Sequence, residues 1–345
     1  MDGSRTLAEP PPDASPARWQ RLLAQAVRDP AELLRLLNLP ADLLPPAAAT
    51  AGFPLLVPRG FLARIERGNS NDPLLKQVLP AAAEALTVPG FAADPLAEHD
   101  ACGRAGSSAV PGLLHKYRNR VLLVTTAACA VHCRYCFRRH FDYRTLPMGS
   151  AWWKPALAAI AADPAIDEVI LSGGDPLTLP DAHLAALAAD IRALPQIRRL
   201  RLHTRLPVVL PERIDNALLA WLAQPGPTPV VVIHANHPHE IATDVAAACQ
   251  RLRGAGVLVL NQSVLLAGVN DRATTLAELS LKLFDAGVLP YYLHVLDRVA
   301  GAAHFLVDDD RAVALHRELA ALLPGYLLPR LVREVAGEPS KRTLG

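Results

Sequence analysis

The stretch Ala-Cys-Ala-Val-His-Cys-Arg-Tyr-Cys-Phe-Arg-Arg-His-Phe at 128–141 sets Cys129, Cys133 and Cys136 in the spacing C-x3-C-x2-C. Most of the chain's 5 cysteines therefore fall within one short segment. In a reducing compartment, thiols this close point to a metal or to catalysis before they point to disulfides. Two chemistries fit. A Cys3His zinc site would take His132 or His140 as its fourth ligand. Three thiolates on a four-iron cube would leave one iron open to a small molecule. The spacing alone does not choose between them.

A second chemical stretch is Leu-Ser-Gly-Gly-Asp-Pro-Leu at 171–177. Gly173 and Gly174 let backbone approach a ligand closely, and Asp175 is suited to hold an ammonium. His234, Asn236, His237, Asn261 and Gln262 follow apolar runs and are candidates to line a nucleoside or substrate. Cys102 and Cys249 stand apart and read as idle thiols.

These residues must be carried by something that brings them together. From about residue 119, short β-branched runs alternate with amphipathic segments: 120–126, 167–173, 198–204, 229–236, 256–264 and 288–297 read as six strands. Stretches such as DAHLAALAADIRAL, PERIDNALLAWLA and ATTLAELSLKLFDAG between them read as crossover helices. Each strand ends in a reactive cluster, finishing with Asp297, and in a β/α barrel such ends share one face. Six units predict an α/β fold with a partial, splayed (β/α)6 barrel over 111–325. Before it lies a helical N-terminal region, 1–110, in which Asp29 caps a helix opening at Pro30. After it comes a C-terminal segment, 326–345.

The net charge is +2, from Lys+Arg 35 against Asp+Glu 33. That balance gives no global attraction to nucleic acid or to an anionic membrane. There is no secretory leader pattern and no spanning run, so a cytoplasmic protein is expected.

The C-x3-C-x2-C loop after the first strand resembles the signature of the radical S-adenosylmethionine superfamily, and the Gly173-Gly174-Asp175 segment resembles the one that meets the methionyl amino group there. HKYRNRVLL (115–123), CFRRHF (136–141), LHTRLPVVLPERI, HANHPHE, LNQSVLLAGVND, PYYLHVLDRVAGAAHF and GEPSKRTLG (337–345) resemble the lysine 2,3-aminomutase family from about residue 110 onward. Among its branches the chain is most similar to the one devoted to elongation factor P β-lysylation.

The resemblance implies a 4Fe-4S cluster on Cys129, Cys133 and Cys136. It implies S-adenosyl-L-methionine against Gly173, Gly174, Asp175, His234 and Gln262, and pyridoxal 5′-phosphate in a Schiff base with Lys341. Lys116, Tyr117 and Arg120 would hold the cofactor phosphate, with Lys116 standing where the family has arginine. Arg138 would take the substrate α-carboxylate. Asp297, with Glu334 as a second acid, would take the distal ammonium. The implied partners are free L-lysine, a flavodoxin- or ferredoxin-type electron donor, elongation factor P and its ligase, and a second copy of the chain in a homo-oligomer. An imine-forming lysine must also be neutral and partly desolvated, whatever the family. The competing readings are a glutamate aminomutase, a nucleic-acid modifier using RYCFRRHFDYR, and a zinc-stabilised binding module.

Overall fold

The computed structural model describes residues 16–98, 110–143 and 151–344, so Cys102 lies outside the described residues. Nine strands form one open sheet in chain order: β1 (Leu113–Tyr117), β2 (Arg120–Thr126), β3 (Glu168–Gly173), β4 (Arg199–Thr204), β5 (Thr228–Ile233), β6 (Leu258–Val264), β7 (Leu289–His294), β8 (Arg330–Arg333) and β9 (Arg342–Thr343). Strands β2 to β8 are parallel, while β1 and β9 fold back antiparallel on the two edges.

The partial barrel is as expected but runs one parallel strand further. β8 is only Arg-Leu-Val-Arg, too short for a period to register, and the helix Asp309–Ala320 delivers it beside β7. Of the edge strands, β1 is Leu-Leu-His-Lys-Tyr with only Leu114 buried, and β9 is the exposed pair Arg-Thr, so neither carries a long apolar run.

The buried strand β3, Glu-Val-Ile-Leu-Ser-Gly, has both faces covered, as a central parallel strand requires. In β4 the two faces differ. Leu200, Leu202 and Thr204 are buried, while Arg199, Arg201 and His203 alternate with them, and Arg201 and His203 point into the barrel. The barrel interior is therefore polar on this wall.

The N-terminal stretch is a chain of short helices, Arg18–Ala24, Pro30–Leu36, Ala47–Thr50, Arg59–Leu62 and Pro73–Lys76. Asp29 caps the second by accepting from Ala31 N, and the buried Asp72 caps the last by accepting from Leu74 N and Leu75 N. Their Leu33, Phe61, Leu74 and Val78 share one apolar cluster with Val121, Leu171, Leu202 and Val231 of the sheet. The helices thus pack on the barrel wall and have no separate core. Among the described residues no helix is long and apolar enough to cross a membrane.

Candidate active site

The sheet is open by its backbone, yet its two edges touch through side chains. The pairing Arg333↔Arg342 sets Glu334 opposite Lys341 at the end of the β8–β9 hairpin. Lys341 Nζ donates to Glu334 Oε2, and Tyr117 of β1 donates its hydroxyl to Glu334 Oε1 at 2.6 Å. Lys116 Nζ stands 3.8 Å from the same carboxylate. A cavity of about 500 Å³ lies inside this seam, and it is lined by every residue singled out above as a cluster, cofactor or substrate candidate in the family resemblance.

At one end of the cavity is the cysteine loop. Arg134, fully buried, fixes it to the N-terminal helices by donating to Glu84 at 2.9 Å and to the Phe53 and Ala49 carbonyls. Arg139 donates to the same Glu84 at 2.6 Å. The described arginines of RYCFRRHFDYR, Arg134, Arg138 and Arg139, have buried and paired side chains and form no surface patch for phosphates, which takes most of the motive from the nucleic-acid reading; Arg144 lies outside the described residues.

Burial pushes the Cys136 thiol up to about 11, with the Cys133 thiol adding to the shift. Burial, then Cys136, raises Cys129 well above the ordinary thiol range. Two such thiols ionise together only when a cation compensates them, as a bound metal would. Each histidine offered as a fourth zinc ligand sets one ring nitrogen on a backbone carbonyl: His132 Nδ1 is 2.8 Å from Pro54 O and His140 Nε2 is 3.0 Å from Ala300 O. Among the described residues no three His, Cys, Asp or Glu side chains are grouped to hold a single ion. A cube takes one thiolate per iron and so asks for wider spacing.

The Gly-Gly-Asp segment corrects an expectation. A Cβ on Gly173, whose φ is +125°, would meet Thr126 O at 2.6 Å, and one on Gly174 would collide with Ala128 O. The glycines thus admit the cysteine loop's own backbone. Gly174 N and Asp175 N donate to Thr126 O and Ala128 O. The Asp175 carboxylate, expected to hold an ammonium, is spent on Thr204 Oγ1 at 2.7 Å, Arg205 N at 2.7 Å and Leu177 N at 3.0 Å. Burial raises it to about 6 against those bonds.

His234 and Gln262 line the cavity, and His234 Nε2 is 2.8 Å from Tyr135 Oη. Asn236, His237 and Asn261 do not line it. Asn236 is wholly buried among Gln77, Tyr135 and Val264 N, Asn261 bridges to Ala235, and His237 caps a turn by accepting from His239 N. They are structural corrections to the sequence reading. Cys249 is buried in its helix, away from the site.

At the other end Arg120 lies over the Tyr117 ring at 4.1 Å, and Lys341 Nζ lies 5.9 Å from the Tyr292 ring centroid. Burial pushes the Glu334 carboxyl up, but the Lys341 ammonium and the bonds from Lys341 and Tyr117 hold it below the usual range overall. Asp297, just beyond β7, differs: no donor or ion-pair partner among the described residues reaches its carboxylate, and burial, then the Glu334 charge, raises it to about 7. His203, Tyr292, His294 and Glu98 also line the cavity. His203 showed a signal, a histidine at a strand end; Glu98 showed none.

The radical SAM superfamily model matches residues 123–279. An L-lysine 2,3-aminomutase of Escherichia coli strain K12 is 52% identical over 328 residues, 94% of this chain and 94% of that protein. One of Haemophilus influenzae is 48% identical over 338 residues, 98% of each, and one of Buchnera aphidicola is 40% identical over 325 residues, 94% of each.

Proposed function

Since the chain belongs to the L-lysine 2,3-aminomutase family of the radical SAM superfamily, we propose that it converts L-lysine to β-lysine by moving the α-amino group to the β-carbon. When bound, the iron–sulfur cluster with S-adenosylmethionine supplies reversible hydrogen-atom abstraction, and pyridoxal phosphate supplies the delocalising ring across which an amino group shifts. Cys129, Cys133 and Cys136 would hold the cluster, and Gly173 to Asp175, His234 and Gln262 the S-adenosylmethionine side. Lys116, Tyr117 and Arg120 would hold the phosphate, for which cations and a phenol are apt donors.

Lys341 is the covalent anchor in this reading. Its ammonium must lose a proton before the nitrogen can bond to a carbonyl, and Glu334 Oε2, which already accepts from it, is the nearest base. Arg138 would orient the substrate by its α-carboxylate. The observation that carries the choice of lysine is Asp297, a carboxylate facing the cavity with no partner among the described residues. A distal ammonium satisfies it, with Glu334 beside it; a distal carboxylate would add a like charge in a desolvated site.

The test is an anaerobic assay of the reconstituted chain. It should form β-lysine from lysine and no β-glutamate from glutamate. Asp297→Asn should lower kcat/KM for lysine by about 100-fold, the scale of one lost buried ion pair, at unchanged iron content. Glutamate turned over as well as lysine, or a variant as active as its parent, would overturn the reading.

The product's destination, elongation factor P, rests on the resemblance to that branch, as do a cytoplasmic setting, a flavodoxin- or ferredoxin-type donor and self-association. An intact mass of elongation factor P unchanged in cells lacking this chain would remove that destination and leave the activity standing.

A further inference from the structure

We propose that Glu98 is a positioning residue that aims two cations at once, Arg138 at the substrate carboxylate and Lys116 at the cofactor phosphate; the inference rests on the reading above. Glu98 is 3% exposed, at the cavity wall. Its Oε2 accepts from Arg138 Nε at 2.6 Å, and its Oε1 accepts from Arg138 Nη2 at 3.1 Å and from Lys116 Nζ at 2.9 Å. One carboxylate thus ties the two anion-binding groups together.

Which edge of the guanidinium it uses decides the role. Arginine presents two edges able to grip a carboxylate, one through Nε and Nη2 and one through Nη1 and Nη2. Glu98 occupies the first. The second keeps only the longer contacts of Nη1, 3.2 Å to Ser172 Oγ and 3.3 Å to Gly173 O, which set the plane of the group at the end of β3. An internal anion that blocked the substrate would take the free edge; Glu98 leaves it.

Glu98 also stays ionised. Burial raises its pKa, but the Arg138 charge and bonds, then those of Lys116, bring it down to about 2. Its negative charge is therefore permanent at working pH, and it lets Arg138 and Lys116 share a small volume without driving each other apart.

The experiment is Glu98→Gln in the full reconstituted chain, with lysine and lysinamide compared. Glutamine keeps the shape but loses the charge and one acceptor. Wild type should prefer lysine over lysinamide by KM, since only lysine fills the free edge. In the variant the KM for lysine should rise about tenfold and the KM ratio fall by a similar factor, with kcat changed by less than about threefold. Pyridoxal phosphate binding, read by absorbance without turnover, should weaken several-fold. Glu98→Asp, which reaches one cation but not both, should fall between the two and serves if the glutamine variant does not fold. A lower KM for lysine, or an unchanged ratio, would overturn the proposal. A wild type indifferent to the carboxylate would instead overturn the role of Arg138.

Discussion

At the cysteine end of the cavity, Arg134 and Arg139 are neutralised by Glu84, and Arg205 by Glu240 at 2.9 Å, with Gln77 accepting a further hydrogen bond from Arg205 at 2.7 Å. These partners come from the N-terminal helices and from the turn after β5. At the lysine end the charges are paired with one another, Glu98 with Arg138 and Lys116 and Glu334 with Lys341, and Lys116 at 3.8 Å from Glu334 links the two sets across the open seam. Asp297 is left over. The first end is a frame; the second is a set of opposite charges that a zwitterion can join at the outer edge of Arg138 and at Asp297. Substitutions should separate along that line, with the frame failing in assembly and stability and the lysine end failing in recognition.

The largest effect should come from the thiols themselves. Replacing any one of Cys129, Cys133 or Cys136 by alanine should remove the brown absorbance, the bound iron and all turnover, because three ligands leave none to spare. Cys249→Ala, in a helix away from the site, should keep all three properties. A triple variant with full iron content would break the comparison at its firmest point.

Next is a matched pair, one from each end. Glu84→Ala strands two buried arginines, and breaking a buried pair from one side costs about 3–5 kcal/mol. It should lower Tm by several degrees and hinder cluster assembly, because Arg134 no longer holds the loop. Lys341→Ala should leave Tm and iron almost unchanged, while turnover and the absorbance of the lysine-bound pyridoxal phosphate disappear. If Lys341→Ala destabilised the fold as much as Glu84→Ala, the distinction between frame and exchangeable charges would fall.

That contrast also explains what the sequence could show. The cysteine loop is local, so its spacing can be read directly, and the strands β2 to β7 announce themselves by apolar runs. The lysine end is assembled from segments far apart. Glu98, a lone acid, gains its meaning only beside Arg138, 40 residues on, and Tyr117 meets Glu334 across 217 residues. The short β8 and β9, which seat Lys341, carry no period. Asp175 misled for the opposite reason: its motif is legible, but the bonds from Thr204 and Arg205 that consume its carboxylate are tertiary.

The smallest effect tests Asp297, whose buried carboxylate meets no partner among the described residues. In the unfolded chain the Asp297 carboxyl titrates near 3.8, whereas in the fold burial and the Glu334 charge raise it to about 7. The folded state therefore binds its proton more tightly, so stability falls as pH rises from the ordinary carboxylate range to about 7 and the loss is complete above it. Asp297→Asn removes this penalty. Its Tm should exceed that of wild type by about 2 °C at pH 8, and the difference should vanish near pH 4, where both carry a neutral side chain. L-lysine should raise the wild-type Tm at pH 8 more than the variant's, since an ammonium stabilises only the ionised acid. Stability curves with the same pH dependence for both proteins would mean that Asp297 is already satisfied without substrate, and the lysine end would then be as fully framed as the cysteine end.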